Sequence, residues 1–222
     1  MSQPSEYQLH RNSSRRALAV VVTILSYVVA AQSSEHKQHF STREGTIIRM
    51  HPLGASFEIP QHWTARTQES QLKQVRRGEG EWNTEYAKVV NAALPFSRCV
   101  AQAGRWDWNA STYGGVTVRA YVLDQTFGEV VERISGKGLA ATQALPRTTI
   151  SNVSITESNL EQWRRILINY DARYYDYGGR ANLDFYVAER NGTTIVLVFM
   201  YGGIGDPGNG FVRQQILGSF SW

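Results

Sequence analysis

The chain has 222 residues, 42% of them hydrophobic and 19% charged, a balance that excludes a disordered polypeptide and fits one folded domain. Its formal net charge is +4, and the first 31 residues contain three arginines and one glutamate. Removing that segment takes 23 basic and 19 acidic residues to 20 and 18, a net charge of +2 that excludes a nucleic-acid interface built on excess positive charge.

Residues 1–31 have the parts of an export signal. Arg11, Arg15 and Arg16 precede the uncharged, mostly apolar residues 17–31, and small residues near Ala31 offer a cleavage site. A helix over residues 17–31 would be roughly 22 Å long, which is shorter than the ~30 Å thickness of a bilayer's hydrocarbon core. We therefore expect an extracytoplasmic protein, periplasmic or secreted. The alternative is an uncleaved signal anchor that holds the protein at the membrane.

The next segments predict a tether and the first strands. Residues 32–43 are polar and predict a tether, and residues 44–222 predict a single domain. Short strands are expected at residues 46–50 and 55–59, on either side of a turn that contains Pro and Gly. Residues 64–80 have no regular period and predict a surface loop.

The central part of the chain predicts helices around one strand. Apolar residues at helical spacing predict a helix over residues 83–94, and residues 96–103 predict a second short helical segment closed by Gly104. Residues 116–122 alternate apolar side chains with Thr117, Arg119 and Tyr121, which predicts a strand with one buried face.

The clearest helix is predicted over residues 124–134. Thr126 and Glu129 have the spacing of a capping box, in which each side chain bonds the other residue's backbone N–H. Gly136 and Gly138 are expected to end this helix, and a further strand is expected at residues 148–156.

Residues 165–201 predict three consecutive antiparallel strands. Alternation in the first two strands places one face in a core and the other mostly toward water. Residues 175–179 predict the first turn, and Asn191-Gly192 predicts a two-residue hairpin. Residues 193–201 are apolar on both faces and predict an interior strand, with four side chains fully buried: Val196, Leu197, Val198 and Phe199.

The end of the chain completes an α+β prediction. Residues 202–210 are rich in glycine and predict a flexible loop, and residues 211–217 predict a short C-terminal helix. Early strands, central helices and a late three-strand meander together predict an α+β domain with a central antiparallel sheet.

Two short motifs resemble the PsbP-like families of exported domains, which include the extrinsic lumenal protein of photosystem II. Residues 56–63 (SFEIPQHW) resemble their opening strand with Ile-Pro and a following Trp, and residues 211–220 (FVRQQILGSF) resemble their last helix and its ending. Residues 64–109 depart from the family pattern. The resemblance implies an α/β/α sandwich with a central antiparallel sheet. These families share no catalytic motif, so no functional residue is carried over.

Aromatic residues in predicted loops are the candidate binding residues. Large rings with polar atoms are favoured at recognition surfaces, and loops on a rigid sheet are where binding residues collect. The alternative is that these rings fill the seam between the sheet and the helices. The candidate set comprises Trp106, Trp108, Tyr174, Tyr175, Asp176, Tyr177 and Arg180.

The sequence contains no recognisable catalytic or metal-binding pattern. Cys99 is the only cysteine, which excludes an internal disulfide, and its apolar neighbours predict a buried side chain rather than a nucleophile. His36 and His39 lack a third ligand, and the loop with Asp206 and Asn209 lacks the acidic ligands that calcium needs. We therefore expect no catalytic residue, no bound metal and no cofactor.

These observations predict an exported, non-catalytic domain with a binding or accessory role in the cell envelope. Its partner would be an envelope protein or a small ligand, and it would contact the membrane only through an uncleaved N-terminal segment. The alternative is an exported, hydrolase-like enzyme whose active-site residues are dispersed along the chain.

Overall fold

The structure is a computed structural model that describes residues 39–68, 70–72, 84–95, 98–104, 116–145, 150–174, 177–201 and 208–222. Within them, three strands form a small antiparallel sheet in the order β1 (Phe40–Glu44), β2 (Ile47–His51) and β3 (Ala55–Glu58). Seven strands form the central sheet: β4 (Thr64–Arg66), β5 (Arg98–Gly104), β6 (Val116–Leu123), β7 (Ile150–Leu160), β8 (Trp163–Tyr174), β9 (Tyr177–Arg190) and β10 (Thr193–Tyr201). Their spatial order is β4-β5-β6-β10-β9-β8-β7, and all neighbours are antiparallel.

The helices with described bounds are α1 (Thr84–Ala93), α2 (Phe127–Arg133), the π-helical segment Ile134–Gly138, α3 (Leu139–Gln143) and α4 (Gly208–Gly218). Residues 70–72 are helical as well. None of the helices in the described part of the chain has the length and apolar character needed to cross a membrane.

Each face of the central sheet is covered by its own hydrophobic core. On the first face, Phe57 of β3 and Ile216 of α4 pack on alternate residues of the sheet such as Leu197. On the second face, Val90 of α1 and Val130 of α2 pack on the intervening residues. The α+β class and the central antiparallel sheet are therefore confirmed. Helices lie on both faces, and on the first face α4 shares the cover with the three-stranded sheet.

The meander predicted at the end of the chain is confirmed. β8, β9 and β10 pair consecutively, and β10 lies between β9 and β6 in the interior of the sheet. Asn191 and Gly192 have φ angles of 53° and 74°, the left-handed values that a two-residue hairpin requires at both central positions. The turn is therefore formed by the residue pair that predicted it.

Two predictions for the first half of the chain are wrong. Residues 98–104 form β5 instead of a short helix, because they pair with β6 on one side and with β4 on the other. Residues 64–66, predicted as loop, form β4. In addition, residues 40–43 of the predicted tether form most of β1, where the buried Ser41 hydroxyl donates to the carbonyl of Val100 at 2.5 Å.

The helix predicted over residues 124–134 begins later, at Phe127, and does not end at Gly136. Thr126 and Glu129 form the predicted capping box. The chain then continues through the π-helical segment into α3. A Cβ atom at Gly138 would lie 3.2 Å from the Cβ of Ala93 and 3.5 Å from the Cδ1 of Ile168. Gly138 therefore serves the close packing of this segment on α1 and on the sheet, not helix termination.

We expect Leu197→Ala to lower the free energy of unfolding by about 2–5 kcal/mol, because the lost side chain leaves a cavity in a covered sheet. All four predicted residues, Val196, Leu197, Val198 and Phe199, are 0% exposed. Leu160→Ala is the matched control, since Leu160 is 44% exposed on the edge strand β7 and its truncation should cost no more than about 0.5 kcal/mol. Equal urea midpoints for the two variants would contradict the assignment.

Candidate functional site

Part of the aromatic candidate set lies outside the described residues. Trp106, Trp108, Tyr175 and Asp176 fall in residues 105–115 and 175–176. The backbone of the other three lies in strands: Tyr174 pairs with Tyr177 across β8 and β9, and Arg180 pairs with Asp171. The turn predicted over residues 175–179 therefore extends too far, because β9 already begins at Tyr177.

The strand ends around this candidate set share one end of the central sheet. Tyr201, the last residue of β10, pairs with Val116 of β6 and with Asn182 of β9, and the neighbouring Thr117 pairs with Gly104. Gly104 and Val116, which flank residues 105–115, therefore both lie at this end. β9 extends five residues beyond Asn182, about 17 Å at the usual strand rise, and pairs there with β8 only. Tyr174, Tyr177 and Arg180, the described candidates, thus lie in the parts of β8 and β9 at this end of the sheet.

A buried carboxylate lies on the first face of the sheet, between β8, β9 and α4. Asp184 is 0% exposed, and Arg165 donates to its two oxygens from Nε at 2.8 Å and from Nη2 at 2.9 Å. Arg213 of α4 donates from Nη1 to Oδ2 at 3.1 Å, and the hydroxyl of Tyr186 donates to the same oxygen at 3.1 Å. The carboxylate therefore has its acceptor sites filled by donors from three elements, in the paired geometry that guanidinium groups favour.

Sequence reasoning missed this cluster. The alternation in β8 and β9 placed Arg165 and Asp184 on a face directed mostly toward water, and the structure contradicts that placement. The side chain of Arg165 is 26% exposed and that of Arg213 is 22% exposed, because α4 and the small sheet cover this face. The signal available in the sequence was an acidic residue between the apolar Leu183 and Phe185, with an arginine in the last helix to neutralise it.

Aromatic rings continue from this cluster to the end of the chain. Tyr186 makes edge-to-face contacts with Phe199 at 5.5 Å and with Trp163 at 6.3 Å between ring centroids. Trp163 contacts Phe220 at 4.7 Å, and Phe220 contacts Trp222 at 5.2 Å. These rings fill the seam between the sheet and the C-terminal segment, so they are core residues and not a recognition surface.

A second buried polar pair lies on the opposite face, between β5 and β6. Gln102 and Arg119 are directly opposite in the strand register and are 2% and 3% exposed. The Nε of Arg119 and the Oε1 of Gln102 are buried and have no hydrogen-bond partner. The prediction that β6 has only one buried face is therefore wrong, because β6 is an interior strand and α1 covers its second face.

Two carboxyl groups at the helical layer have lowered pKa values. The hydroxyl of Ser135 and the guanidinium of Arg164 donate to Glu157 and lower the pKa of its carboxyl, which links the π-helical segment to β7 and β8. The hydroxyl and backbone N–H of Thr126 lower the pKa of Glu129 within the capping box. Both groups therefore stay ionised at neutral pH and act as structural acceptors.

The remaining candidates for chemistry are dispersed. Cys99 is 1% exposed in β5, and its thiol donates to the carbonyl of Ala101, with 3.5 Å between Sγ and the oxygen. His51 is bonded to Thr42 through Nε2 at 3.1 Å and stacks on Phe40. No group of three or more His, Cys, Asp or Glu residues in the described part of the chain is placed to hold a metal ion.

Comparisons with known proteins find similarity only among solved structures. No family model and no characterised protein sequence matches the chain. The crystal structure of LpqN, involved in cell envelope biogenesis of Mycobacterium tuberculosis, is 9% identical over 83% of this chain and 90% of that chain, with a TM-score of 0.46. The solution structure of the cyanobacterial PsbP (CyanoP) from Synechocystis sp. PCC 6803 is 8% identical over 81% of this chain and 94% of that chain, with a TM-score of 0.45. The second is a PsbP protein, from the family that the two sequence motifs resemble.

We expect Asp184→Asn to lower the free energy of unfolding by about 3 kcal/mol. This is the lower end of the range of about 3–5 kcal/mol for breaking a buried ion pair, because both guanidinium groups are partly exposed. The matched control is Glu44→Gln, which removes an exposed carboxylate paired with Arg49 and should cost less than about 1 kcal/mol. Urea unfolding of both variants measures the difference, and similar midpoints would show that the Asp184 network does not stabilise the fold.

Proposed function

We propose that the protein is exported and acts outside the cytoplasm as a non-catalytic domain with a binding or accessory role in the cell envelope. Export is supported by residues 1–31, where a basic start, a short apolar run and small residues follow one another. The near-neutral charge that remains after this segment gives no support to a nucleic-acid partner.

The end of the central sheet that carries the candidate set is the observation on which the binding role rests. Both faces of the sheet carry hydrophobic cores over its interior strands, which are therefore not available to a partner. The connections at the end of β5, β6, β8 and β9 start from rigid, well-paired strands. Binding residues collect on connections of this kind, and this end has tryptophan and tyrosine in residues 105–115 and tyrosine at residue 175.

An exported, hydrolase-like enzyme is the competing function. It would need a nucleophile or a pair of acid and base groups within hydrogen-bond reach of one another and of a substrate. The buried Asp184 does not support this role, since its oxygens already accept from Arg165, Arg213 and Tyr186. We therefore assign Asp184 to the stability of the domain.

Export is tested by the N-terminal sequence of the protein recovered from the cell envelope and the medium. We expect the chain to start at Ala31 or Gln32, because the small residues before that point fit the cleavage site of an export signal. A chain that keeps residues 17–31 and fractionates with membranes would support the anchored form instead. A full-length chain found only in the cytoplasm would overturn the proposal.

The binding role is tested with the double variant Tyr175→Ser/Tyr177→Ser. We expect it to keep the wild-type Tm and to cross-link less envelope partner, because tyrosine supplies large contact area with few rotatable bonds. Leu160→Ser is the matched control, since Leu160 is an exposed apolar residue next to the β7–β8 turn at the opposite end of the sheet. A large fall in Tm would place the tyrosines in the core, and unchanged cross-linking would remove this end of the sheet from the binding role.

A further inference from the structure

Gln102 and Arg119 present hydrogen-bonding groups that the described protein does not use. Both side chains are more than nine-tenths buried, and each has a polar atom without a partner. No hydrogen bond or ion pair joins either side chain to another residue in the described part of the chain. A guanidinium carries a positive charge, and a buried charge is costly unless it is paired. The buried positive charge of Arg119 therefore needs an anion beside it.

The surroundings of this pair are apolar. Val198 of β10 is the next residue beyond Arg119 in the sheet register, and it belongs to the core of the second face. Leu72, Val89 and Val90 belong to the same core, the last two on α1. The core of this face therefore offers hydrocarbon to the body of a group whose charged end is bound to Arg119.

We propose that Gln102 and Arg119 form a buried binding site for a small monocarboxylate with an apolar body. The two oxygens of a carboxylate match the planar donor geometry of a guanidinium, and one negative charge neutralises one arginine. The amide of Gln102 offers a donor or an acceptor, because rotation of the amide exchanges the two. It thus bonds the second carboxylate oxygen or a hydroxyl beside it. A phosphate monoester, with up to two negative charges, would find only one cation at this pair.

The competing explanation is that Gln102 and Arg119 satisfy only each other. They are cross-strand neighbours, so a change of side-chain rotamer would bring the Nε of Arg119 to the Oε1 of Gln102. That arrangement satisfies two polar atoms but leaves the positive charge without a counter-ion. The two explanations differ in a measurable way, since only the binding site gives a ligand affinity that depends on Arg119.

The test is calorimetric titration of the purified exported protein with three probes at low salt. Octanoate has both the charged head and the apolar body, acetate has the head alone, and octan-1-ol has the body without the charge. We expect octanoate to bind at least tenfold more tightly than either of the others. An absence of octanoate binding, or equal affinity for octanoate and octan-1-ol, would overturn the proposal.

The variant Arg119→Met tests whether the affinity for octanoate depends on Arg119. Methionine keeps an unbranched apolar stem and removes the charge, so the variant should fold and bind octanoate at least tenfold more weakly. Arg49→Met is the matched control, since Arg49 is an exposed arginine of β2, and it should bind as the wild type does. If Arg119→Met binds octanoate as tightly as the wild type does, the proposed site is wrong.

If Arg119→Met does not fold, NMR of the wild-type protein decides the question. The Nε–H resonance of Arg119 is expected to shift as octanoate is added and to stay in place with octan-1-ol, and an unchanged resonance at saturating octanoate would overturn the proposal. The site is also separable from the role proposed for the end of the sheet. The Tyr175→Ser/Tyr177→Ser variant should keep its octanoate affinity, so either proposal can fail while the other stands.

Discussion

The carboxylate of Asp184 is the constraint that holds the first face of the domain together. It is fully buried, and donors reach it from β8, from β9 and from α4. Burying a charge is costly unless its hydrogen bonds are completed, so the network favours one arrangement of these elements over nearby alternatives. The hydrogen bond from Arg213 matters most for the architecture, because it joins the central sheet to α4, the helix that follows the last strand.

The network holds α4 in place, and the residues that follow α4 pair with β3 of the small sheet. Ser56 of β3 and Ser221 exchange two backbone hydrogen bonds of 2.8 Å, and the Ser219 hydroxyl accepts from the backbone N–H of Glu58. Phe57 and Phe220 lie in the same core. The two motifs that resemble the PsbP-like families therefore form one structural unit, although they lie at opposite ends of the domain. The C-terminal segment also covers the edge of β3, which would otherwise present unpaired backbone groups.

The elements that the sequence predicted well are those determined by local chemistry. The capping box of α2 and the hairpin at Asn191-Gly192 need only neighbouring residues, and the apolar run over residues 195–201 was sufficient to identify β10 as an interior strand. β5 was mistaken for a helix because its small residues and its bulge between Cys99 and Ala101 disturb the two-residue period. Asp184 and Arg119 were placed toward water because alternation identifies polar positions but does not indicate what covers them. Their burial depends on α4 and α1, which are distant in the chain.

The two buried polar clusters lead to different conclusions because their hydrogen bonding differs. Around Asp184, opposite charges meet in good geometry, and the cluster is explained by its contribution to the fold. Around Arg119, the polar atoms lie in an equally dry environment without completed bonds, and packing gives no reason for them. Stability alone would favour an apolar residue at that position. The contrast within one sheet is therefore the strongest reason to look for a ligand on the face covered by α1.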